Sequence, residues 1–220
     1  MEEIQSSQND SKKEITNVNA TMADLKKTIE NLITENTTLR NQNCLLVERI
    51  AQMEDQLNTI KQDQLSNNIL IGGITETNEE NLQDILLQIA NNVGVNLKEE
   101  EIEKCYRKKS FNETDNNNDR SKMPKQIFIK FKNKYIKTKI MNAKKQKDLN
   151  TKILNHHHHR PIYINEDLTK NNQLIFKKAR ELKRGKKVEF AWVKNGRIYV
   201  KKHNELNKIY IPNINLLNDI

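Results

Sequence analysis

From Ile15 to Ile60 the apolar residues of this chain recur as a heptad. Val18, Leu25, Leu32, Leu39, Leu46, Met53 and Ile60 stand seven apart, and so do Ile15, Met22, Ile29, Asn36, Asn43, Ile50 and Leu57. The sets are offset by three, which makes the first d and the second a of a coiled coil. A strict 3.5-residue period imposes a left-handed supercoil. At 1.5 Å per residue the rod is about 70 Å long. A helix packed on its own domain usually carries a wider apolar stripe. Here the b, c and f positions are polar or small except at Leu45, so the pattern requires partner helices of its own kind.

Asn36 and Asn43 occupy successive a positions. A buried Asn finds its partner only when helices are in register, which favours a parallel, aligned assembly. Charges at g and e′ agree: Glu35 meets Arg40′ and Arg49 meets Glu54′, although such exposed pairs argue orientation rather than stability. The residues expected to hold the assembly are Leu25, Ile29, Leu32, Asn36, Leu39, Asn43, Leu46, Arg49, Ile50, Met53, Glu54 and Leu57. Asn at a favours a homodimer. The stretch Arg49-Ile50-Ala51-Gln52-Met53-Glu54 resembles a trimer-specifying pattern, in which the Arg stem covers the core and its head pairs with a neighbouring Glu. Both states stay open, with the trimer preferred.

The formal net charge of +9 is unevenly placed. Residues 1–66 carry net −4, residues 67–120 net −5, and residues 121–220 net +18, with 25 Lys/Arg against 7 Asp/Glu. Basic charge confined to one end points to a polyanionic partner, RNA or DNA, more than to general solubility. Acidic proteins and membrane lipids are the other partners such charge fits. No apolar run reaches the roughly 18 residues of a membrane span, so no insertion is expected. The start Met1-Glu2-Glu3 is acidic and lacks the apolar core of a secretory leader. Cys44 and Cys105 form no Cys-x-x-Cys pair. They read as free thiols of the cytoplasm or nucleus.

After Ser66 the period changes. Asn68 to Ile74 reads as a buried strand ended by glycines, and Thr77-Asn78-Glu79-Glu80 as a capping box. The helix it opens carries Leu82, Ile85, Leu86, Ile89 and Val93 and stops at Gly94. Residues 97–103 suggest a turn of helix, Cys105-Tyr106-Arg107 a short strand, and residues 110–122 a loop. Gln126 to Phe131 is the next strand. Residues 134–147 form a basic helix with Tyr135, Ile136, Ile140 and Ala143 inward and Lys134, Lys137, Lys144, Lys145 and Lys147 outward. Ile162-Tyr163-Ile164 closes the module. The order β-α-β-β-α-β is ferredoxin-like, the topology of RNA-recognition motifs. Of the sheet aromatics such motifs use, only Phe128 fits; Leu70 and Gln126 stand at the others. Phosphate contact by lysines, including Lys130, is therefore weighted above stacking on this sheet. His156 to His159, before Arg160, read as a low-complexity loop, with metal binding the other reading.

Thr169 caps a helix over residues 170–184 that Gly185 ends. Leu174, Ile175 and Leu182 mark its inner face; Lys177, Lys178, Arg180 and Lys183 stud its surface. Val188 to Lys194 and Arg197 to Lys202 are strands joined by Asn195-Gly196, a two-residue type I′ hairpin signal. That turn fixes the register: Lys194 opposes Arg197, Val193 Ile198, Trp192 Tyr199, and Ala191 Val200. One face then carries Ala191, Val193, Ile198 and Val200. The other carries Phe190, Trp192, Lys194, Arg197, Tyr199 and Lys201. Such a mixed face can stack bases and neutralise phosphates; equally, Trp192 and Tyr199 can be core, with the cations reaching outward.

Four runs carry a family resemblance: Asn67-Asn68-Ile69-Leu70-Ile71-Gly72-Gly73-Ile74, Pro161-Ile162-Tyr163-Ile164-Asn165-Glu166-Asp167-Leu168-Thr169, Phe176-Lys177-Lys178-Ala179-Arg180-Glu181-Leu182-Lys183, and Trp192-Val193-Lys194-Asn195-Gly196-Arg197-Ile198-Tyr199-Val200. Together they resemble the baculovirus few-polyhedra (FP) protein family and related insect retroelement proteins. The layout also resembles the first open-reading-frame protein of LINE-type retrotransposons. The resemblance spans about residues 15–212 and is most specific from Pro161 to Lys202. The retroelement likeness implies single-strand nucleic-acid binding and chaperoning. The viral likeness implies a nucleocapsid-associated role in virion occlusion, with capsid proteins as partners. The sheet aromatics depart from the pattern, and a zinc knuckle is absent.

The expected protein is thus α+β. Residues 1–14 are disordered, 15–66 a coiled coil, 67–165 an RNA-recognition-like domain and 166–220 a basic C-terminal domain. No nucleophile elbow, Walker loop or His-Glu-x-x-His is present, so neither an enzyme nor a cofactor is expected. Nucleic acid is expected on Lys130, Lys137, Lys144, Lys145, Lys147, Arg160, Lys177, Lys178, Arg180, Lys183, Trp192, Lys194, Arg197, Tyr199 and Lys201.

Overall fold

A computed structural model describes residues 2–108, 124–154, 159–203 and 205–217. The expectations for the 110–122 loop and for His156, His157 and His158 lie outside these residues. The chain divides into two compact units, Met1–Glu54 and Asp55–Ile220. It is mixed helix and antiparallel sheet, as α+β requires.

The first unit is helical throughout its described residues, as the greater part of α1 (Glu2–Gln64). The expected disorder over 1–14 differs from this. Nothing there stops a helix, since residues 2–14 contain neither Gly nor Pro. The a and d side chains stand open in the single chain, Leu39 51% and Leu46 57% exposed. Ile33 and Val47, at e positions, are exposed too.

In the second unit four strands form one antiparallel sheet: β1 (Asn68–Gly72), β2 (Ile102–Arg107), β3 (Ile127–Phe131) and β4 (Tyr163–Glu166). They stand in the order β2-β3-β1-β4. Helices α2 (Leu82–Asn92) and α3 (Lys134–Ala143) supply the apolar layer beneath. Leu86, Ile89, Ile136 and Ile140 meet Ile69, Ile71, Ile127, Ile129 and Phe131 there. Each such fully buried side chain is worth roughly 1.5–3 kcal/mol of burial. Gly73 ends β1 at φ +93°, where a Cβ would meet the Pro161 carbonyl oxygen at 2.1 Å; no other residue fits.

Three local expectations change. The α2 cap is Asn81, whose side chain accepts from the amides of Gln83 and Asp84. The proposed capping box fails because Glu80 is taken by a two-pronged pair with Arg107, at 2.5 and 2.6 Å. Regular helix α3 ends at Ala143, and a 3-10 turn covers Lys144–Gln146. Tyr135 is 61% exposed rather than inward, while Lys137 is buried.

The rest of the unit is α4 (Lys170–Arg184) against a second sheet of β5 (Phe190–Lys194), β6 (Arg197–Lys201) and β7 (Ile209–Ile211). Thr169 caps α4 by accepting from Asn172 N, and Gly185 closes it. Ile175, Ala179 and Leu182 pack on Val188, Ile198, Val200 and Ile211. Leu174, expected inward, is 58% exposed: positions 175, 179 and 182 already fill the buried stripe. The β5–β6 register pairs Lys194 with Arg197, Trp192 with Tyr199 and Ala191 with Val200, as the Asn-Gly turn dictates.

Candidate nucleic-acid interface

Strand alternation divides the second sheet into an α4 side and a free side. The α4 side takes Ala191, Val193, Ile198 and Val200. On the free side Trp192 and Tyr199 stack, their ring centroids 5.8 Å apart and 20° from parallel. Tyr210 of β7 extends the row, 5.6 Å from Tyr199. Cations lie over these rings: Lys208 over Tyr199 at 5.1 Å and Arg197 over Tyr210 at 5.7 Å. At the far end Lys201 and Lys183 both lie over Phe190. Trp192 and Tyr199 are half-buried, and Lys194 and Arg197 are exposed. The rings are thus only partly covered, Tyr210 being 42% exposed, and Lys208 is exposed as well.

Not every sequence candidate joins this row. Lys177, Lys178 and Arg180 are exposed, but helical spacing puts Lys177 and Arg180 on the side of α4 away from the sheet. Arg180 lies over Phe176. Lys201 is also 3.8 Å from Glu189. Lys130 is paired with Glu103 at 2.7 Å, both side chains partly exposed. Lys137 is removed altogether, being 5% exposed and 2.8 Å from Glu166. An outward lysine on α3 was expected; the buried carboxylate of β4 draws it in.

Lys144, Lys147 and Arg160 gather at the β4 edge around a cavity of about 530 Å³ that His159 and Tyr163 also line. Lys144 donates to the Ile164 carbonyl and Lys147 to that of Asn92. Burial lowers the Lys144 pKa, the Glu166 carboxylate opposes the shift, and Lys145 adds to it. Lys145 is exposed. On the first sheet Tyr106 and Phe128 approach to 4.7 Å, with Lys108 over Phe128. Phe128 itself is only 8% exposed, so the one aromatic that fitted the expected pattern is not open for stacking.

Sequence reasoning missed Tyr210 and Lys208 because it missed β7. The triplet Ile209-Tyr210-Ile211, apolar at both flanks of an aromatic and followed by Pro212, was the available signal. It also missed Glu166. That carboxylate accepts from the backbone amides of Asn195 at 2.9 Å and Gly196 at 2.8 Å, and so holds the hairpin turn against β4.

A basic helix laid on a three-stranded sheet, its other face alternating rings and cations, defines a small α/β domain with a cationic outer surface. Residues 169–220, which hold that helix and sheet, match the family described as Baculovirus FP protein domain 2. The match falls within the C-terminal part of the chain that carries the most specific stretch of the FP resemblance. No curated protein matches the chain.

Proposed function

We propose that the protein is a self-associating, non-enzymatic FP-like structural component of a virus, acting in virion assembly and occlusion. The match of residues 169–220 carries this reading. The open a and d seam supports a parallel homo-oligomer. Exposed Ile33 and Val47 broaden the seam, which suits three helices better than two. Its place of action is the cytoplasm, the nucleus or the nucleocapsid.

A second reading is favoured by the Trp192–Tyr199–Tyr210 row and its cations. In it the protein is an oligomeric binder of single-stranded RNA or DNA, a chaperone or ribonucleoprotein component of the kind retroelements use. The β-α-β-β-α-β order and the strand order β2-β3-β1-β4 support an RNA-recognition-like module beside the FP-like domain.

Nuclease treatment of complexes isolated with the protein separates the two. Capsid partners that stay bound support assembly through protein contacts; partners released by nuclease support the nucleic-acid reading. Filter binding at several salt concentrations then measures the polyanion contribution, which falls steeply with salt because each phosphate contact releases counterions.

A further inference from the structure

The last turns of α1 belong to the second unit and are built into it by side-chain amides. Gln62 is 7% exposed. Its Nε2 donates to the Asp167 carbonyl at 2.9 Å, and its Oε1 accepts from Thr169 N at 3.0 Å and from Asn172 Nδ2 at 2.9 Å. Asn58, one turn earlier, donates to Asn172 Oδ1 at 2.9 Å and accepts from Thr169 Oγ1 at 2.6 Å. Asn172 Nδ2 also donates to the Gly196 carbonyl at 3.0 Å. Gln62 and Asn172 are thus neutral amides using both of their functions in a buried place, the condition under which such a network fixes one geometry.

The heptad register gives this ring its meaning. With Leu57 at a and Ile60 at d, Asn58 falls at b and Gln62 at f, away from the seam. Leu57 and Ile60 stay 49% and 60% exposed. The helix therefore holds its own head on one side and keeps the other for another chain.

We infer that Asn58 and Gln62 form a latch that fastens the FP-like domain to the end of α1, on the face opposite the one where a second copy of the chain associates. The cap of α4 and the Asn195-Gly196 turn are thereby held by the last turns of α1, inside the second unit. The inference deepens the self-association reading, yet the latch itself does not depend on it.

Hydrogen exchange on the full chain tests it, read on segments 166–172 and 192–198 together with mass by sedimentation. The native chain protects both segments. Gln62→Ala speeds their exchange roughly tenfold or more and leaves the oligomer mass unchanged. Thr59→Ala, an exposed change in the same turn, leaves exchange as it is. Unchanged exchange in Gln62→Ala overturns the latch, and a changed mass overturns its separation from the seam. Should Gln62→Ala prove insoluble, Gln62→Glu decides. It keeps the acceptor for Thr169 and loses the donor to Asp167, so exchange at 166–172 rises; no rise overturns the proposal. A native chain that sediments as a monomer sinks the self-association reading alone, since the exchange result still judges the latch.

Discussion

Glu166 and Lys137 form a buried ion pair, Nζ to Oε2 2.8 Å, with side chains 6% and 5% exposed. The same carboxylate accepts from both amides of the Asn195-Gly196 turn. One acidic side chain on β4 thus joins α3 of the first sheet layer to the hairpin of the second. A lysine that looked like a phosphate contact is structural.

Removing one partner of a buried pair leaves the other charge uncompensated. Lys137→Ala is expected to cost about 3–5 kcal/mol of stability. Urea denaturation measures it. Filter binding of Lys137→Ala, at temperatures where it remains folded, is expected to match the native chain.

Gly196 sits at φ +73°, and a Cβ there would meet Gln62 Cγ and Nε2 at 2.6 Å. Gly196→Ala is expected to destabilise by about 1–3 kcal/mol, from backbone strain and from this clash. Combining it with Gln62→Ala removes the clash but not the strain. The two changes should therefore be less than additive in a double-mutant cycle.

On the free face, Tyr210→Ala should weaken single-strand binding by about 1–3 kcal/mol, the worth of one stacked base. Lys194, Arg197 and Lys201 changed together to Glu should lower affinity and flatten its salt dependence, with oligomer mass unaltered. Polar residues at Leu39 and Leu46 should do the reverse: sedimentation then shows smaller species while each head stays folded.

The two cysteines should react very differently. Cys44 is exposed. Cys105 packs against the first core, and burial, with Glu80 adding, pushes its thiol up to about 11 from 9.0. Alkylation at mildly alkaline pH is expected to modify Cys44 and spare Cys105, which mass spectrometry reads directly. The sign for stability follows from the raised folded value. Any contribution from Cys105 is intact below the ordinary thiol pKa of 9.0 and is lost as pH climbs toward 11.

The sequence alone determined whatever depends on local periodicity and turn chemistry. The heptad gathers the apolar residues of α1 on one face of a single long helix, Thr169 and Gly185 bound α4, and Asn195-Gly196 sets the hairpin register. Each of these follows from rules acting over a few residues. The tertiary structure decided which polar groups are surface and which are glue. Lys137, Gln62 and Asn172 look like solvent residues in one dimension, because nothing near them in sequence tells that Glu166, Thr169 or Gly196 will stand opposite. Capping at Asn81 rather than Thr77 has the same cause, since Arg107 claims Glu80 from β2. A buried hydrogen-bond partner is fixed by chain topology, and topology is not a local property.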